Sequence, residues 1–430
     1  MKPRPSINVA GLGRVSYQKI GDLTSLELND SITGKTISIN GSQSLISHYQ
    51  LYNEHDAATA FSETKGAKNG VDLYKIQYTI FNHGRPDKVS GLLAVPTQQN
   101  SSTLPLYSWQ HGTIFRPDEA PSEIMKNDQF QRTPQGSTST GQIRSTETLF
   151  NLARFAGNGY AMAAADYNGN GSSGTSQYYT LKDPTNKATT AMITAAKGVL
   201  SRLGITTNKL FLNGWSQGGL NTLWLGEQLR KDNVAVTKQA SSSTFSDINK
   251  TANYWFNTFT GDPAWATSCL PLFFASYESY YNLEGLLKEA IKPEYLEIAQ
   301  SLVNGETNWD ILVEPEGKGL YGLPVTGKEM LNEKFREDFN NQRGRFYDKF
   351  QENIKIMENK FSHPTRFYGG ALDTAIPPGV SVEQPTAFFA PLSAGFHLGA
   401  EATHRSTFLG SLFGSAQDPN NDIGTWFQAA

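Results

Sequence analysis

Residues 209–219, KLFLNGWSQGG, decide the predicted fold of this chain. A short apolar run ends at a Gly-Trp-Ser-Gln-Gly motif centred on Ser216, and apolar residues at helical spacing follow at once. A nucleophilic serine must stand clear of the sheet, beside a base and backbone N–H groups, and a sharp turn between strand and helix holds it there. The stretch therefore predicts a nucleophile elbow. The alternative is a surface turn rich in Gly and Ser.

A nucleophile elbow implies that the chain also contains an acid and a base. In hydrolases with this motif, a carboxylate and then a histidine follow the serine in the chain. Residues 366–373 read as a strand that runs into a glycine-rich turn and ends at Asp373. Asp373 would fix the tautomer of the imidazole and stabilise the imidazolium. The alternative is a turn aspartate that precedes prolines.

Two of the seven histidines, His397 and His404, follow this candidate acid. His404 stands immediately before an amphipathic pattern that predicts a final helix, and a base on the loop entering that helix can reach the elbow. His397 lies between Phe396 and Leu398, an apolar setting that favours a core histidine. We therefore expect His404 to be the base, with His397 as the alternative.

A loop that could supply part of an oxyanion hole follows an earlier predicted buried strand, in residues 104–113, LPLYSWQHGT. Backbone N–H groups after such a strand can supply half of an oxyanion hole, and the residue after the serine supplies the other half. We expect the N–H groups of Gln217 and Thr113 to be the two donors, with Gly112 as the next candidate. His111 is expected to hold the loop in place. The alternative is an ordinary strand end.

With these residues in order, the chain resembles the α/β-hydrolase superfamily, and within it the secretory-lipase-like bacterial and fungal esterases. Residues 107–113, 166–171 and 214–219 carry the resemblance. It covers roughly residues 71–249 and 361–430, and the His-Gly-Gly-Gly signature of some esterases is missing. The resemblance implies a serine hydrolase.

Three functions fit such a site. The favoured one is the cleavage of carboxylic esters through an acyl-enzyme, with an apolar or aromatic acyl group. A serine peptidase or amidase of the prolyl-oligopeptidase type is disfavoured because the 70 residues ahead of the sheet cannot build a propeller. An acyltransferase or a silent binding protein on the same fold is the third, because a fold alone does not decide chemistry.

The order of elements predicts an α/β class fold: the α/β-hydrolase fold, a mostly parallel sheet with helices on both faces and an inserted helical cap. Predicted strands are at residues 71–80, 89–96, 104–110, 160–166, 209–213, 234–245 and 365–369. Predicted helices lie at 145–157, 186–203 and 217–231, with charged helices within 328–359.

Four segments are expected. Residues 1–70 form an irregular or hairpin-containing extension, residues 71–249 and 361–430 form the core, and residues 250–360 form the cap. The cap is rich in aromatic residues, most of which should pack its own interior while the remainder line an apolar acyl pocket. The pocket candidates are Trp215, Trp255, Trp265, Phe273, Phe274 and Tyr277.

Composition excludes several partners. A formal charge of −3 gives no indication of a basic surface, so nucleic acid is not expected as a partner. Cys269 is the only cysteine, so an intramolecular disulfide and a thiolate zinc site are excluded. No H-E-x-x-H or Walker lysine motif is present, and we expect neither a metal nor another cofactor. The expected partner is a small-molecule or lipid-like ester, and the sequence leaves the oligomeric state open.

Residues 169–174, GNGSSG, match a dinucleotide-binding pattern. A phosphate-binding helix should begin there, but the chain continues with polar and aromatic residues that lack helical spacing. A glycine-rich loop near the site is the better interpretation.

No run of 18 apolar residues is present, and residues 1–14 lack the apolar core of a signal peptide, so no integral membrane segment is expected. The Ser-, Thr-, Asn- and Gly-rich composition is compatible with a processed secreted or periplasmic chain and also with a cytoplasmic one.

Overall fold

The computed structural model describes residues 4–33, 65–98, 101–125, 131–133, 136–138, 145–258, 265–306, 323–324, 326–354, 360–377, 379–399, 402–415, 418 and 420–430. Its strands are β1 (Ser6–Val9), β2 (Gly13–Leu23), β3 (Val71–Asn82), β4 (Arg85–Pro96), β5 (Thr103–Gln110), β6 (Gln131–Thr133), β7 (Gly136–Thr138), β8 (Ala161–Ala165), β9 (Thr206–Trp215), β10 (Lys238–Ser242), β11 (Thr365–Gly369) and β12 (Ser393–His397).

Its helices are α1 (Ser25–Thr33), α2 (Thr146–Arg154), α3 (Lys182–Arg202), α4 (Gln217–Lys231), α5 (Ile248–Asn253), α6 (Trp265–Tyr281), α7 (Leu286–Ala290), α8 (Leu296–Val303), α9 (Gly327–Met330), α10 (Glu333–Asn340), α11 (Arg345–Phe350), α12 (Gln384–Phe389), α13 (His404–Phe413) and α14 (Ile423–Gln428). Two π-helical turns, Tyr254–Thr258 and Gly379–Glu383, precede α6 and α12.

One sheet of ten strands, in the order β1-β2-β3-β4-β8-β5-β9-β10-β11-β12, forms the centre of the protein. Strands β1 to β4 form an antiparallel meander, and β4 is also antiparallel to β8. From β8 onward all neighbours are parallel. The carboxyl ends of the parallel strands lie along one edge, which is where ligand sites form in open α/β sheets.

Both faces of the sheet are buried, and the side chains of β9 pack into a different core on each face. Leu210 and Leu212 belong to a core that includes residues of α3, while Phe211 and Trp215 belong to a second core with α2, α13 and α14. A third core joins α4 to the helices between β10 and β11. Strands buried on both faces read as continuous apolar runs, which is why the sequence predicts them well.

The predicted class, a mostly parallel sheet with helices on both faces, is confirmed. Each of the seven predicted strands has a counterpart, and β10 is shorter than expected. The antiparallel pair β1 and β2 lies in the segment expected to be irregular or to contain a hairpin, but the bounds of these strands are not predicted. Strand β12 is not predicted, because it lies at the end of the sheet and is only partly buried. The imidazole of His397, at the end of β12, is 48% exposed, so the expected core setting of this residue is wrong.

No helix begins at the glycine-rich loop of residues 169–174, and α3 starts only at residue 182. The phosphate-binding helix terminus of a dinucleotide site is therefore missing there. Within the described ranges, none of the helices combines the length and the apolar composition that crossing a bilayer requires.

Candidate active site

Ser216 lies at the turn between β9 and α4. Its backbone has φ 57° and ψ −122°, a conformation that non-glycine residues rarely adopt and that is found at functional sites. The motif glycines allow the close approach of neighbouring chain: a Cβ atom at Gly214 would lie 2.1 Å from the oxygen of Gly218, and one at Gly218 would lie 1.9 Å from that of Gln110. The Ser216 N–H donates to Ser242 O at 2.9 Å. The turn is thereby fixed between β5 and β10.

Ser216, His404 and Asp373 form one hydrogen-bonded chain. His404 Nε2 lies 2.9 Å from Ser216 Oγ, and His404 Nδ1 lies 3.0 and 2.9 Å from the two oxygens of Asp373. The three residues are 8%, 2% and 3% exposed, in the order serine, histidine, aspartate. A carboxylate beside Nδ1 favours the tautomer with its proton there, so Nε2 accepts from the serine hydroxyl. This arrangement can deprotonate a serine during attack on a carbonyl.

The acid lies on the turn after β11, and this turn packs directly against the loop that carries the base. Asp373 Oδ1 accepts a second hydrogen bond from the Ile376 N–H at 2.9 Å. The Leu372 N–H donates to Ala402 O at 2.9 Å, and a Cβ atom at Gly370 would lie 2.1 Å from the same oxygen. A side chain at position 370 would therefore separate the acid from the base.

The base begins α13, and a capping box fixes that start. Thr403 Oγ1 accepts from the Ser406 N–H at 3.3 Å, and Ser406 Oγ accepts from the Thr403 N–H at 2.7 Å. Trp215 is 1% exposed, and its indole Nε1 donates to His404 O at 2.9 Å. The indole and imidazole ring centroids are 4.8 Å apart. Trp215, a pocket candidate from the sequence, thus lies against the base.

The loop after β5 is held by the ring of His111. Its Nδ1 lies 2.7 Å from Gly112 O, and its ring stacks on Tyr167 with centroids 4.1 Å apart. Burial lowers the pKa of His111 to about 4, so the ring is neutral near pH 7 and Nδ1 donates to the carbonyl. The Tyr167 hydroxyl donates to His111 O at 3.2 Å. His111 therefore has partners within its own loop, in line with a structural role.

Gly112 and Thr113 supply the two candidate amides of this loop. The Gly112 N–H donates to Glu147 Oε2 at 2.7 Å, so this amide is engaged by a side chain. The Thr113 hydroxyl donates to the Tyr179 hydroxyl at 3.2 Å. Of the two, the Thr113 amide is the better candidate for an oxyanion donor. Gln217, the other candidate, is the first residue of α4, where backbone N–H groups point out of the helix.

Three pocket candidates from α6, namely Phe273, Phe274 and Tyr277, lie in a cluster of aromatic rings. Each is at most 1% exposed. The nearest rings on α10 and α11 include Phe335, with its centroid 5.1 Å from that of Phe274, and Phe346, 5.7 Å from Phe273 and 5.1 Å from Tyr277. These contacts place the three rings in the packed interior of the helices between β10 and β11.

Trp255 and Trp265 differ from those rings. Trp255 is 5% exposed, and its Nε1 donates to Ala375 O at 2.9 Å. Its neighbour Tyr254 donates its hydroxyl to Thr374 O at 2.7 Å. Both rings therefore hold the segment that follows Asp373. Trp265 begins α6, but its side chain lies outside the described part of the structure.

The alternative base His397 and the single cysteine, Cys269, are not part of the chain formed by Ser216, His404 and Asp373. His397 Nε2 lies 3.3 Å from Glu383 Oε1, with both side chains about half exposed. Cys269 is buried in α6, and burial raises the pKa of its thiol to about 11, so the thiol is protonated near pH 7. A protonated thiol is a poor nucleophile.

Sequence reasoning missed Glu147. It lies in the first turn of α2, where an acidic residue is ordinarily interpreted as helix stabilisation. The helix also contains threonine, asparagine and arginine, so its composition does not single out Glu147, and no motif connects it to residues 111–113.

Comparisons with known proteins agree on the fold. A sequence profile of the prolyl oligopeptidase family matches residues 146–284. A candidate hydrolase from Legionella pneumophila has a TM-score of 0.72 at 20% identity, covering 93% of this chain and 95% of that one. A mutant of the rice cell wall degrading esterase LipA from Xanthomonas oryzae has a TM-score of 0.68 at 18% identity, with coverage of 92% and 94%.

Lipase A from Candida antarctica in its closed state is a more distant match, with a TM-score of 0.55, 14% identity, and coverage of 78% of this chain and 73% of that one. No curated protein matches the chain. Together with the order of the strands in the sheet, these likenesses show that the protein has the α/β-hydrolase fold.

Proposed function

We propose that the protein is a serine hydrolase that cleaves carboxylic esters through an acyl-enzyme on Ser216. The observation that carries the proposal is the buried chain of hydrogen bonds from Ser216 through His404 to Asp373. It lies at the carboxyl edge of the parallel strands, next to a strained serine backbone.

In the proposed reaction, Ser216 Oγ attacks the ester carbonyl carbon while His404 Nε2 takes the hydroxyl proton. The resulting imidazolium is stabilised by Asp373. Collapse of the tetrahedral intermediate breaks the bond to the alcohol oxygen, which receives the proton from His404. A water molecule then repeats the sequence on the acyl-enzyme, and releases the acid and the free serine.

The negative charge of the tetrahedral intermediate would face the N–H groups of Gln217 and Thr113. The first lies at the amino end of α4, where the helix dipole favours negative charge. The second lies on the loop held by His111, Tyr167 and Glu147. Donors fixed before reaction need no reorganisation, which is why they lower the barrier more than water does.

We propose residues 250–360 as a cap on a core of residues 71–249 and 361–430, with residues 1–70 as an extension. Tyr254 and Trp255 attach the beginning of this cap to the turn after Asp373. We propose an apolar or aromatic acyl group for the substrate. Phe273, Phe274 and Tyr277 pack the interior of the cap, so other residues would line the pocket for that group.

A peptidase or amidase is the second candidate, and the profile match over residues 146–284 is the observation that favours it. That match covers the elbow and α4, which esterases and peptidases of this fold share. The proteins of similar structure that are named as an esterase and a lipase favour the ester reaction.

A panel of p-nitrophenyl esters from acetyl to long acyl chains, measured beside p-nitroanilides that include a prolyl peptide, separates the two candidates. We expect kcat/KM for the better esters to exceed that for every anilide by about 10²-fold or more. The Ser216→Ala variant gives the background rate. An anilide turned over as efficiently as the best ester would favour the peptidase.

A further inference from the structure

The Glu147 carboxyl group is buried directly against the loop of residues 111–113. The residue is 6% exposed, and its Oε2 accepts the Gly112 N–H at 2.7 Å. A Cβ atom at Gly112 would lie 3.0 Å from Glu147 Oε1 and 3.0 Å from Trp215 Cε3. Glycine at this position therefore allows the carboxyl group to approach the backbone closely.

Both polar groups of Gly112 are held. Glu147 binds the N–H, and His111 Nδ1 binds the carbonyl at 2.7 Å. The next peptide group is planar and trans, so the Thr113 N–H points opposite to the Gly112 carbonyl. Fixing Gly112 on both sides consequently fixes the direction of the Thr113 amide.

We propose that Glu147 is a positioning residue, which holds the Gly112 amide so that the Thr113 amide keeps the orientation that an oxyanion needs. The inference rests on the proposed function, because it assigns a purpose to the loop only if an oxyanion forms at Ser216. The carboxyl group of Glu147 binds the loop backbone, not the side chain of Ser216, His404 or Asp373. It acts through the loop.

The charges around Glu147 add a second expectation. Burial raises the pKa of Glu147 to about 8, with a smaller contribution from the charge of Glu119. The Tyr167 hydroxyl is close enough to interact electrostatically with this carboxyl group, and His111 adjoins Gly112 on the loop that Glu147 binds. A neutral carboxyl group accepts the Gly112 N–H without placing charge beside a developing oxyanion, whereas ionisation above about pH 8 adds a negative charge that opposes it.

Glu147→Gln and Glu147→Asp test this inference as a pair. The Gln side chain keeps an acceptor oxygen at the same distance from the backbone as Glu147, so it can still reach the Gly112 N–H. The Asp side chain keeps a carboxyl group but is shorter by one methylene. For a p-nitrophenyl ester, we expect Asp to lower kcat by about 10- to 100-fold with little change in KM, because a misplaced donor weakens the transition state alone. We expect the Gln variant to retain most of kcat. The parent should lose rate above about pH 8, where Glu147 ionises, and the Gln variant should not.

Glu227→Asp is the matched control. Glu227 is also buried, is paired with Lys182 at 2.7 Å and Lys231 at 2.9 Å, and lies in the middle of α4, away from the loop. This variant should lower the melting temperature without changing kcat.

Three results would overturn the inference. The Glu147→Asp variant could keep the wild-type kcat, or the Asp and Gln variants could lose kcat equally. The loss of kcat could also simply follow the folded fraction measured by circular dichroism. A parent protein that neither hydrolyses esters nor reacts with a fluorophosphonate at Ser216 would instead refute the proposed function. The two failures are thus distinguishable.

Discussion

The indole N–H of Trp215 donates to the main-chain carbonyl of His404 across 2.9 Å, although the two residues are 189 positions apart in the chain. Trp215 immediately precedes the nucleophile, so its position is set by the same elbow that sets Ser216. The ring also lies against the imidazole. One side chain thereby ties the position of the proposed nucleophile to that of the proposed base.

Trp215→Phe tests this tie. The substitution keeps an aromatic ring and removes the N–H, so we expect kcat to fall by roughly 10-fold with little change in KM, because the base would be misplaced. Ester hydrolysis and circular dichroism provide the measurements.

Trp224→Phe is the matched control, since Trp224 is fully buried and its Nε1 has no hydrogen-bond partner among the described residues. It should reduce stability without a specific effect on kcat. Equal kcat values in the two variants would contradict the role assigned to the indole N–H.

The assignment of the base is tested by two histidine variants. His404→Ala should lower kcat by roughly 10³-fold or more, because it removes the group that accepts the serine proton. His397→Ala should retain nearly full turnover, since His397 lies at the end of β12 with its imidazole beside the Glu383 carboxylate. A crippled His397→Ala enzyme with an active His404→Ala enzyme would reverse the assignment.

Packing of the aromatic cluster leads to a stability prediction for Phe274. Phe274→Ala removes a fully buried ring that contacts Phe335 and Phe346, and we expect the free energy of unfolding to fall by about 3–5 kcal/mol. Turnover of short and long esters should change alike in the folded variant.

If Phe274 lines the acyl pocket instead, KM would rise for long acyl chains alone, by about 10- to 200-fold. Urea unfolding together with the chain-length profile of the esters distinguishes the two outcomes.

The sequence predicts the parallel half of the sheet well because its strands are buried on both faces. β9, for example, reads as an apolar run that ends in the Gly-Trp-Ser-Gln-Gly motif. Its glycines are required because an added Cβ atom would lie only 2.1 or 1.9 Å from a neighbouring backbone oxygen. β12 is different. Its residues are only partly buried and include Gly395, so no apolar run marks it, and His397 consequently reads as a core residue.

Side-chain contacts between distant segments are the part that sequence patterns do not predict. Glu147 and Gly112 are 35 positions apart, and their hydrogen bond arises only once α2 packs against the end of β5. Likewise, nothing in the sequence near Trp255 indicates that its indole N–H would donate a hydrogen bond to the Ala375 carbonyl. These contacts depend on tertiary packing, whereas the elbow is a local turn.

A buried histidine away from the site leads to a prediction about acid stability. His363 is 3% exposed, and its Nε2 lies 3.1 Å from Gln239 Oε1. Burial lowers the pKa of His363 to about 4. The pKa of a histidine in the unfolded chain is about 6.5. Between about pH 6.5 and pH 4 the unfolded chain therefore binds a proton at His363, whereas the folded protein keeps this residue neutral. Stability present above pH 6.5 is therefore lost progressively as the pH falls towards 4.

The loss from His363 should reach about 2 kcal/mol at pH 5. Urea unfolding of the parent and of His363→Gln, each at pH 7 and pH 5, isolates this contribution because the other groups are common to both proteins. We expect the variant to lose less stability between the two pH values. An equal loss would show that His363 is not held neutral.

The central claim is that Ser216 forms a covalent acyl-enzyme, and labelling with a fluorophosphonate probe tests it most directly. The parent protein should be labelled at one site, identified as Ser216 by mass spectrometry of the modified peptide, and should lose ester hydrolysis in proportion to labelling. Ser216→Ala should remain folded by circular dichroism, and should neither react with the probe nor hydrolyse esters above background. Labelling or turnover that persists in Ser216→Ala would mean that a different residue carries the chemistry, and the proposed role of Ser216 would be wrong.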